Sequence, residues 1–199
     1  MSRQFSLLAS KRKKALIRRA LIDTLPVLMG YVTMGFAAGV LMAAHGSVPF
    51  PPFWAGFCGF AFVSGTLSFA IVPQLALGAN LAQIALLTLC INFRYAFYGI
   101  SMVERWRGVS LLKKWFLIHS LADEIYALDV ACRIKNKDDN NFYCLCNHVL
   151  CVLYWVIGTT SGGIIGSSLP MPSKGIEFAM VALFVVIFTD QMRYLCKKS

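Results

Sequence analysis

Arg94 is the only charged residue between Asp23 and Glu104. It sits in Asn92-Phe93-Arg94-Tyr95-Ala96-Phe97-Tyr98-Gly99-Ile100-Ser101, late in a long apolar region. An arginine at bilayer depth costs about 3 kcal/mol on insertion scales, so it needs a reason to be there. Three roles fit: a clamp on an acid such as Asp123 or Glu124, a side chain snorkelling to the next basic loop, or a contact for an anionic group of a solute. Asn92 lies about 200° around a helix from Arg94. Either both sides of that helix meet protein or the helix unwinds locally. Arg94 stacks above Tyr98 at i+4, and Asn92 above Tyr95 and Gly99.

A second polar group is Ser64-Gly65-Thr66-Leu67-Ser68. Small hydroxyl residues around a glycine favour a broken helix, with Ser64 and Ser68 one turn apart and able to face one cavity. A third is His119 with Asp123 and Glu124, read as polar partners for Arg94, a proton relay, or a hydrogen-bonded interfacial pair. Cys144, His148 and Cys151 share a helical face, as metal ligands would. Small apolar thiols beside one polar histidine explain them better, and no fourth ligand lies near, so no metal is expected. No nucleotide loop, zinc-protease helix or nucleophile elbow is present, and neither an enzyme nor a cofactor is expected.

The elements that must carry these groups are membrane helices. Of 199 residues, 58% are hydrophobic and only 14% charged, against about 25% charged in a soluble domain. The fold class is all-α, a polytopic helical integral membrane protein. The net charge of +10 gathers at segment ends, which argues for juxtamembrane anchoring to the lipid bilayer and against nucleic acid. Residues 1–20 form a basic cytoplasmic segment, 21–193 a single transmembrane domain, and 194–199 a basic cytoplasmic tail. The first span is 22–44, too long for a signal-peptide core. Pro26 and Gly30 are candidate helix breaks there, with Pro73 another. Gly35 and Gly39 form a small-residue packing motif, and Gly158, Gly162 and Gly166 form a stripe for another helix.

Further apolar segments cover 53–72, 79–101, 142–166 and 175–192. If the first three segments each crossed, the basic loop 102–114 would lie outside, against the positive-inside rule. The spacing therefore predicts that 53–72 enters, breaks around Ser64–Ser68 and returns to the same face. Residues 115–132 read as an interfacial or half-inserted helix. The sum is four crossings, one re-entrant segment and no strong internal repeat.

These residues resemble the AzlC family, the large subunits of branched-chain amino acid permeases and exporters. The resemblance rests on Leu25-Pro26, Gly30, Gly35, Gly39 and Ser64-Gly65. It is sharpest over Asn92 to Ser101, against a family pattern Asn-x-Arg-His-x-x-Tyr-Gly-x-Ser. It continues through Asp123-Glu124-Ile125-Tyr126-Ala127-Leu128, Trp155, Gly158-Thr159, Gly162, Gly166 and Gly175-Ile176-Glu177-Phe178-Ala179. The sequence departs at Ser68, where the family usually has glutamine, at Tyr95 in place of histidine, and in stopping soon after Asp190, as a diverged and shortened member would.

The resemblance implies an inner-membrane, multi-pass secondary exporter of hydrophobic amino acids, acting with a small AzlD-type membrane subunit. Ser64, Gly65, Ser68, Asn92 and Arg94 would then be substrate-binding positions, and Phe69, Phe93 and Phe97 are available to an aliphatic side chain. The alternative is a membrane scaffold or assembly subunit that does not itself transport.

Overall fold

The structure is a computed structural model that describes residues 2–44 and 52–168, with isolated positions 178, 185 and 189. Eight helices follow in order among the described residues: α1 (Ser2–Asp23), α2 (Leu25–Ala44), α3 (Pro52–Ala61), α4 (Gly65–Ala76), α5 (Leu81–Met102), α6 (Leu111–His119), α7 (Asp123–Ala131) and α8 (Lys137–Ser168). Of these, α2, α5 and α8 are long and apolar enough to cross a bilayer. They correspond to the expected spans 22–44, 79–101 and 142–166. The fourth expected span, 175–192, lies outside the described residues apart from those three isolated positions.

The axis of the molecule is the seam between α2 and α8. These helices run in parallel: Gly35 meets Gly158, Phe36 meets Gly162, and Val40 meets Gly166. A methyl group on Gly39 would overlap the Thr159 carbonyl, and one on Gly162 would overlap the Phe36 carbonyl. Only residues without side chains let two backbones approach this closely, the usual means of helix association in lipid.

Two hairpins of half-length helices lean on this seam from opposite ends. In the first, Ala55 abuts Gly163, Gly56 abuts Thr160 and Gly59 abuts Thr159, so α3 descends alongside α8. The chain breaks at 62–64, where Ser64 is extended (φ −147°, ψ 108°) and caps α4. Then α4 returns the way α3 came, because the short turn 77–80 joins it to the start of α5 while its own start lies beside the middle of α5, Ser64 at Asn92. The turn needs Gly78 at φ +72°, and an Asn80–Gln83 capping box fixes where α5 begins.

Helix α5 then descends the full height, from Arg94 beside Asp123 to Ser101 beside Tyr126, and Arg105 just beyond it reaches Asn140 near the start of α8. The second hairpin enters from that end. Leu117 packs with Met102 and Trp106, and Ser120 reaches His148, so α6 rises. The break is 120–122, and α7 descends again, with Asp129 at His148 and Cys132 at Asn140.

The re-entrant reading of 53–72 thus has its geometry in α3 and α4. The single half-inserted helix expected over 115–132 is instead a second hairpin. The two units α3–α4–α5 and α6–α7–α8 have one plan in opposite senses, a repeat the sequence reading did not find. Loops 103–110 and 132–136 lie at the same end as α1. We call this the basic end, since Arg105, Arg107, Arg133 and Lys135 are there.

Three expected helix breaks are corrected. Gly30 lies inside an uninterrupted α2. Pro26 is the second residue of α2, a position that tolerates proline because its missing N–H would have no helical partner; the interruption falls at Thr24, whose hydroxyl donates to the Ala20 carbonyl at 2.8 Å. Pro73 sits inside α4, which runs on to Ala76.

Candidate functional site

The tips of the two hairpins meet in the middle of the molecule. Phe60 from the first offers its carbonyl to His119 Nε2 from the second at 2.9 Å. Between the tips is a cleft of about 60 Å³. The first tip lines it with Val63, Gly65 and Thr66, and the second with Ala122, Asp123 and Glu124. Tyr31 and Met34 of α2, Arg94 and Tyr95 of α5, and Trp155 of α8 complete the wall. Two helix N-termini, those of α4 and α7, therefore open on one small space. Each presents amide N–H groups that the helix itself cannot satisfy.

Their chemistry differs. Asp123 and Glu124 occupy the first turn of α7, whereas α4 has no acid in its first turn. The α4 end remains open to an anion, while the α7 end is already countered by two carboxyl groups. Arg94 bridges them. Its Nη1 lies 2.6 Å from Asp123 Oδ2, and its Nη2 donates to Thr66 Oγ1 at 3.3 Å and Tyr95 Oη at 3.4 Å. The guanidinium also sits 5.1 Å from the Tyr95 ring centroid. Tyr98 instead stacks on Tyr126 at 4.5 Å. Glu124 accepts from Tyr31 Oη at 2.9 Å, and the Tyr31 ring meets Trp155 edge-on at 5.8 Å.

Three buried polar atoms on this wall have no partner: Arg94 Nε, Asp123 Oδ1 and Trp155 Nε1. Two are donors and one is an acceptor. Buried polar groups are nearly always satisfied, so three orphans of both kinds around one cleft mark a place for a polar guest.

The expected site residues separate into groups. Gly65, Arg94, Asp123 and Glu124 line the cleft. Ser64 and Asn92 stand behind it: Ser64 Oγ donates to Asn92 Oδ1 at 3.3 Å and accepts from Tyr95 Oη at 3.2 Å, which ties the tip to α5. Ser68 does not reach the cleft, since its hydroxyl donates to the Ser64 carbonyl at 2.9 Å within its own helix. His119 does not join Asp123, because the helix breaks between them; its ring stacks on Trp115 at 5.2 Å. Phe69 is buried in the core, while Phe93 and Phe97 pair on the exposed face of α5. Gly35, Gly39, Gly158, Gly162 and Gly166 belong to the α2–α8 seam. Among the described residues no group of histidine, cysteine and acid side chains is arranged to hold a metal.

Tyr31, Thr66, Tyr95 and Trp155 were missed as site residues. Thr66 lies inside the segment already singled out, and Tyr31 is one helical turn before Gly35, on the face of the packing motif. Trp155 is marked only by the family resemblance, not by its spacing from the other polar groups.

Comparison with known proteins fits this layout. Residues 26–169 match the AzlC protein family, a stretch that includes both hairpins and the cleft. The chain belongs to the AzlC family. It is 35% identical over 178 residues to the branched-chain amino acid transport protein AzlC of Bacillus subtilis, covering 89% of this chain and 68% of that one. A membrane protein of Haemophilus influenzae is 33% identical, covering 84% and 67% of the two chains. The inner membrane protein YgaZ of Escherichia coli is 28% identical, covering 82% and 68%. No solved structure matches. This AzlC-family chain is a helical membrane protein and a membrane transport subunit.

Proposed function

We propose that the chain exports branched-chain or similar hydrophobic amino acids by secondary transport, acting with a small AzlD-type subunit in the cytoplasmic membrane. The observation that carries this reading is the set of three unpartnered polar atoms in a cleft between two helix N-termini of different chemistry. A zwitterion needs a donor set for its carboxylate and an acceptor set for its amine. The α4 N-terminus with Arg94 and Trp155 Nε1 suits the carboxylate, and Asp123 with Glu124 suits the ammonium. Met34, Val63, Ala122 and the Trp155 ring offer apolar surface to an aliphatic side chain.

At about 60 Å³ the cleft is far below the roughly 300–1,000 Å³ of typical ligand pockets. The Arg94–Asp123 pair occupies the place of the guest's two charges. On this reading the arrangement is a closed one, and substrate enters as a hairpin tip withdraws and the ion pair opens. The basic end faces the cytoplasm by the positive-inside rule. The exposed face of α5, with Leu86, Leu89, Phe93 and Phe97, is available to lipid or to the small subunit.

The test is accumulation of labelled leucine, valine, isoleucine and methionine in cells fed dipeptides, with and without this chain and its small partner. Higher internal levels in cells lacking them support export. Equal levels for all four remove it and favour a scaffold subunit.

A further inference from the structure

The second hairpin carries a polar chain that the cleft does not use. Ser120 Oγ lies 2.7 Å from His148 Nδ1, and His148 Nε2 lies 3.1 Å from Asp129 Oδ2. All three residues have 0% exposure. The same three residue types serve nucleophilic catalysis elsewhere, but here the hydroxyl is sealed from any substrate. Ser120 Oγ is also 2.6 Å from the Phe116 carbonyl oxygen. Its single hydrogen therefore has two acceptors within reach.

Counting protons gives two complete arrangements. In the first, Ser120 donates to the Phe116 carbonyl and His148 Nδ1–H donates to Ser120. Nε2 and Asp129 then share one further proton, as imidazolium beside carboxylate or as neutral ring beside carboxylic acid. In the second, the Ser120 hydroxyl swings to donate to Nδ1, and Nε2–H donates to ionised Asp129. The two differ by one proton, and neither leaves a ring nitrogen unpaired. The first is electrically neutral. The second leaves a net negative charge with no exposure to water, which a low-dielectric interior penalises.

Among the described residues no lysine or arginine forms an ion pair with that carboxylate. Among the described residues Asp129 has one ion-pair partner, His148, and its Oδ1 has no hydrogen-bond partner. The titratable neighbours on α8 are Cys144, in contact with Asp129, and Cys151, which feels Glu124 and Asp129 of α7. From the α5–α6 segment, Arg105 acts on Cys144 and donates to the Cys132 carbonyl and Asn140, both at 2.9 Å, and the uncharged Trp106 ring lies 5.9 Å from His148.

The mechanical placement is as telling. Ser120 is in the hairpin tip, Asp129 is in the body of α7, and His148 is on the full-length helix α8. Losing the proton leaves a buried charge with no lysine or arginine ion-paired to it, which favours loosening of the hairpin from α8 to admit water. The first hairpin has the same link without the titration: Ser64 bonds Asn92, and in both hairpins the serine and its partner are 28 residues apart.

We propose that Ser120, His148 and Asp129 form a single-proton site whose loading holds the α6–α7 hairpin against α8 and so couples transport to proton movement. The proton comes from water and returns to water, and only N–H and O–H bonds form and break. The coupling rests on the transport reading above, while the proton site itself does not.

The test uses the full chain with its small partner in lipid vesicles containing a pH-sensitive dye and labelled leucine. Protons moved per leucine should fall at least about tenfold in His148→Gln and in Asp129→Asn, a coupling change of the size linkage allows. Leucine exchange reports that the variants have folded. An unchanged ratio overturns the proposal. Should the variants fail to fold, the protein carrying ¹⁵N-labelled histidine decides, with His45→Gln and His119→Gln so that the signal is that of His148. A ring that interconverts between two protonation forms between about pH 5 and pH 9 supports the site; one form throughout contradicts it. If the unsubstituted protein moves no leucine, the transport reading fails, and the histidine spectrum still judges the proton site alone.

Discussion

The two hairpins share a plan but hold their tips by different means. The first rests on α8 through missing side chains, with Gly56 and Gly59 against Thr160 and Thr159, and fastens its tip to α5 through Ser64, Asn92 and Tyr95. None of the side chains in those tip contacts is a histidine or an acid. The second rests on α8 through Ser120, His148 and Asp129, a histidine and an acid among them. Each tip's link to the full-length helix that follows its hairpin thus differs: a bond of fixed charge in the first, and in the second a bond that a proton can change. Repeating one plan in opposite senses places two tips on one cleft, and on the transport reading a difference at a single equivalent contact would give them different controls.

Four experiments break or sharpen that contrast. The largest effect belongs to the seam on which both hairpins lean. Gly162→Val drives a branched side chain into the Phe36 carbonyl and should cost more than the about 1–3 kcal/mol of ordinary overpacking. Folded protein recovered from membranes should fall steeply, whereas Gly30→Ala, with nothing near it, should leave the yield unchanged.

The next effect exchanges the controls. In the pair Asn92→His and His148→Asn, the titrating link moves to the first hairpin. Protons moved per leucine should fall sharply in His148→Asn alone, and leucine exchange in Asn92→His should acquire a pH dependence that the unsubstituted first hairpin lacks. Flat profiles in both would mean that the contrast between the hairpins has no functional weight.

A smaller effect is expected of Tyr31→Phe. Losing one hydrogen bond to the Glu124 carboxyl costs about 1.5–3 kcal/mol where the acid is ionised. The expected result is a rise of about tenfold in the leucine concentration for half-maximal exchange. The smallest is Ser68→Ala, within about 0.5 kcal/mol of neutral in stability and without effect on exchange, because its hydroxyl serves only its own helix. A strong loss of exchange there would return Ser68 to the cleft.

The sequence was most legible where charge and hydropathy carried the information. The conflict between three successive crossings and the basic loop 102–114 was enough to predict the first hairpin, since Ser64-Gly65-Thr66 could break a helix where the crossing count required it. The second hairpin was not legible in the same way. Ser120-Leu121-Ala122 has no glycine or proline, and the break depends on Ser120 bonding back to the Phe116 carbonyl and across to His148, a contact 28 residues away. Reading 115–132 as one helix then placed His119 on the same face as Asp123, and the histidine–acid pair was sought there. Its actual members are His148 and Asp129. Asp129 offered a signal, being an acid among Tyr126, Leu128 and Val130, and His148 was noticed beside two cysteines. Pro26 failed as a break signal because proline is tolerated in a first helical turn, and α2 runs on through Gly30 and α4 through Pro73.

Carboxylate recognition by Arg94 and the α4 N-terminus is the central claim, and binding of labelled leucine to the purified protein tests it most directly. Arg94→Gln should weaken binding at least about tenfold, as loss of a charge-assisted bidentate contact does. Leucinamide, which lacks the carboxylate, should bind the unsubstituted protein no better than it binds the variant. The double variant Arg94→Gln with Asp123→Asn removes both charges of the ion pair and serves as the control for a stranded acid. Equal leucine binding by the unsubstituted and Arg94→Gln proteins, or leucinamide binding as tightly as leucine, would contradict the account.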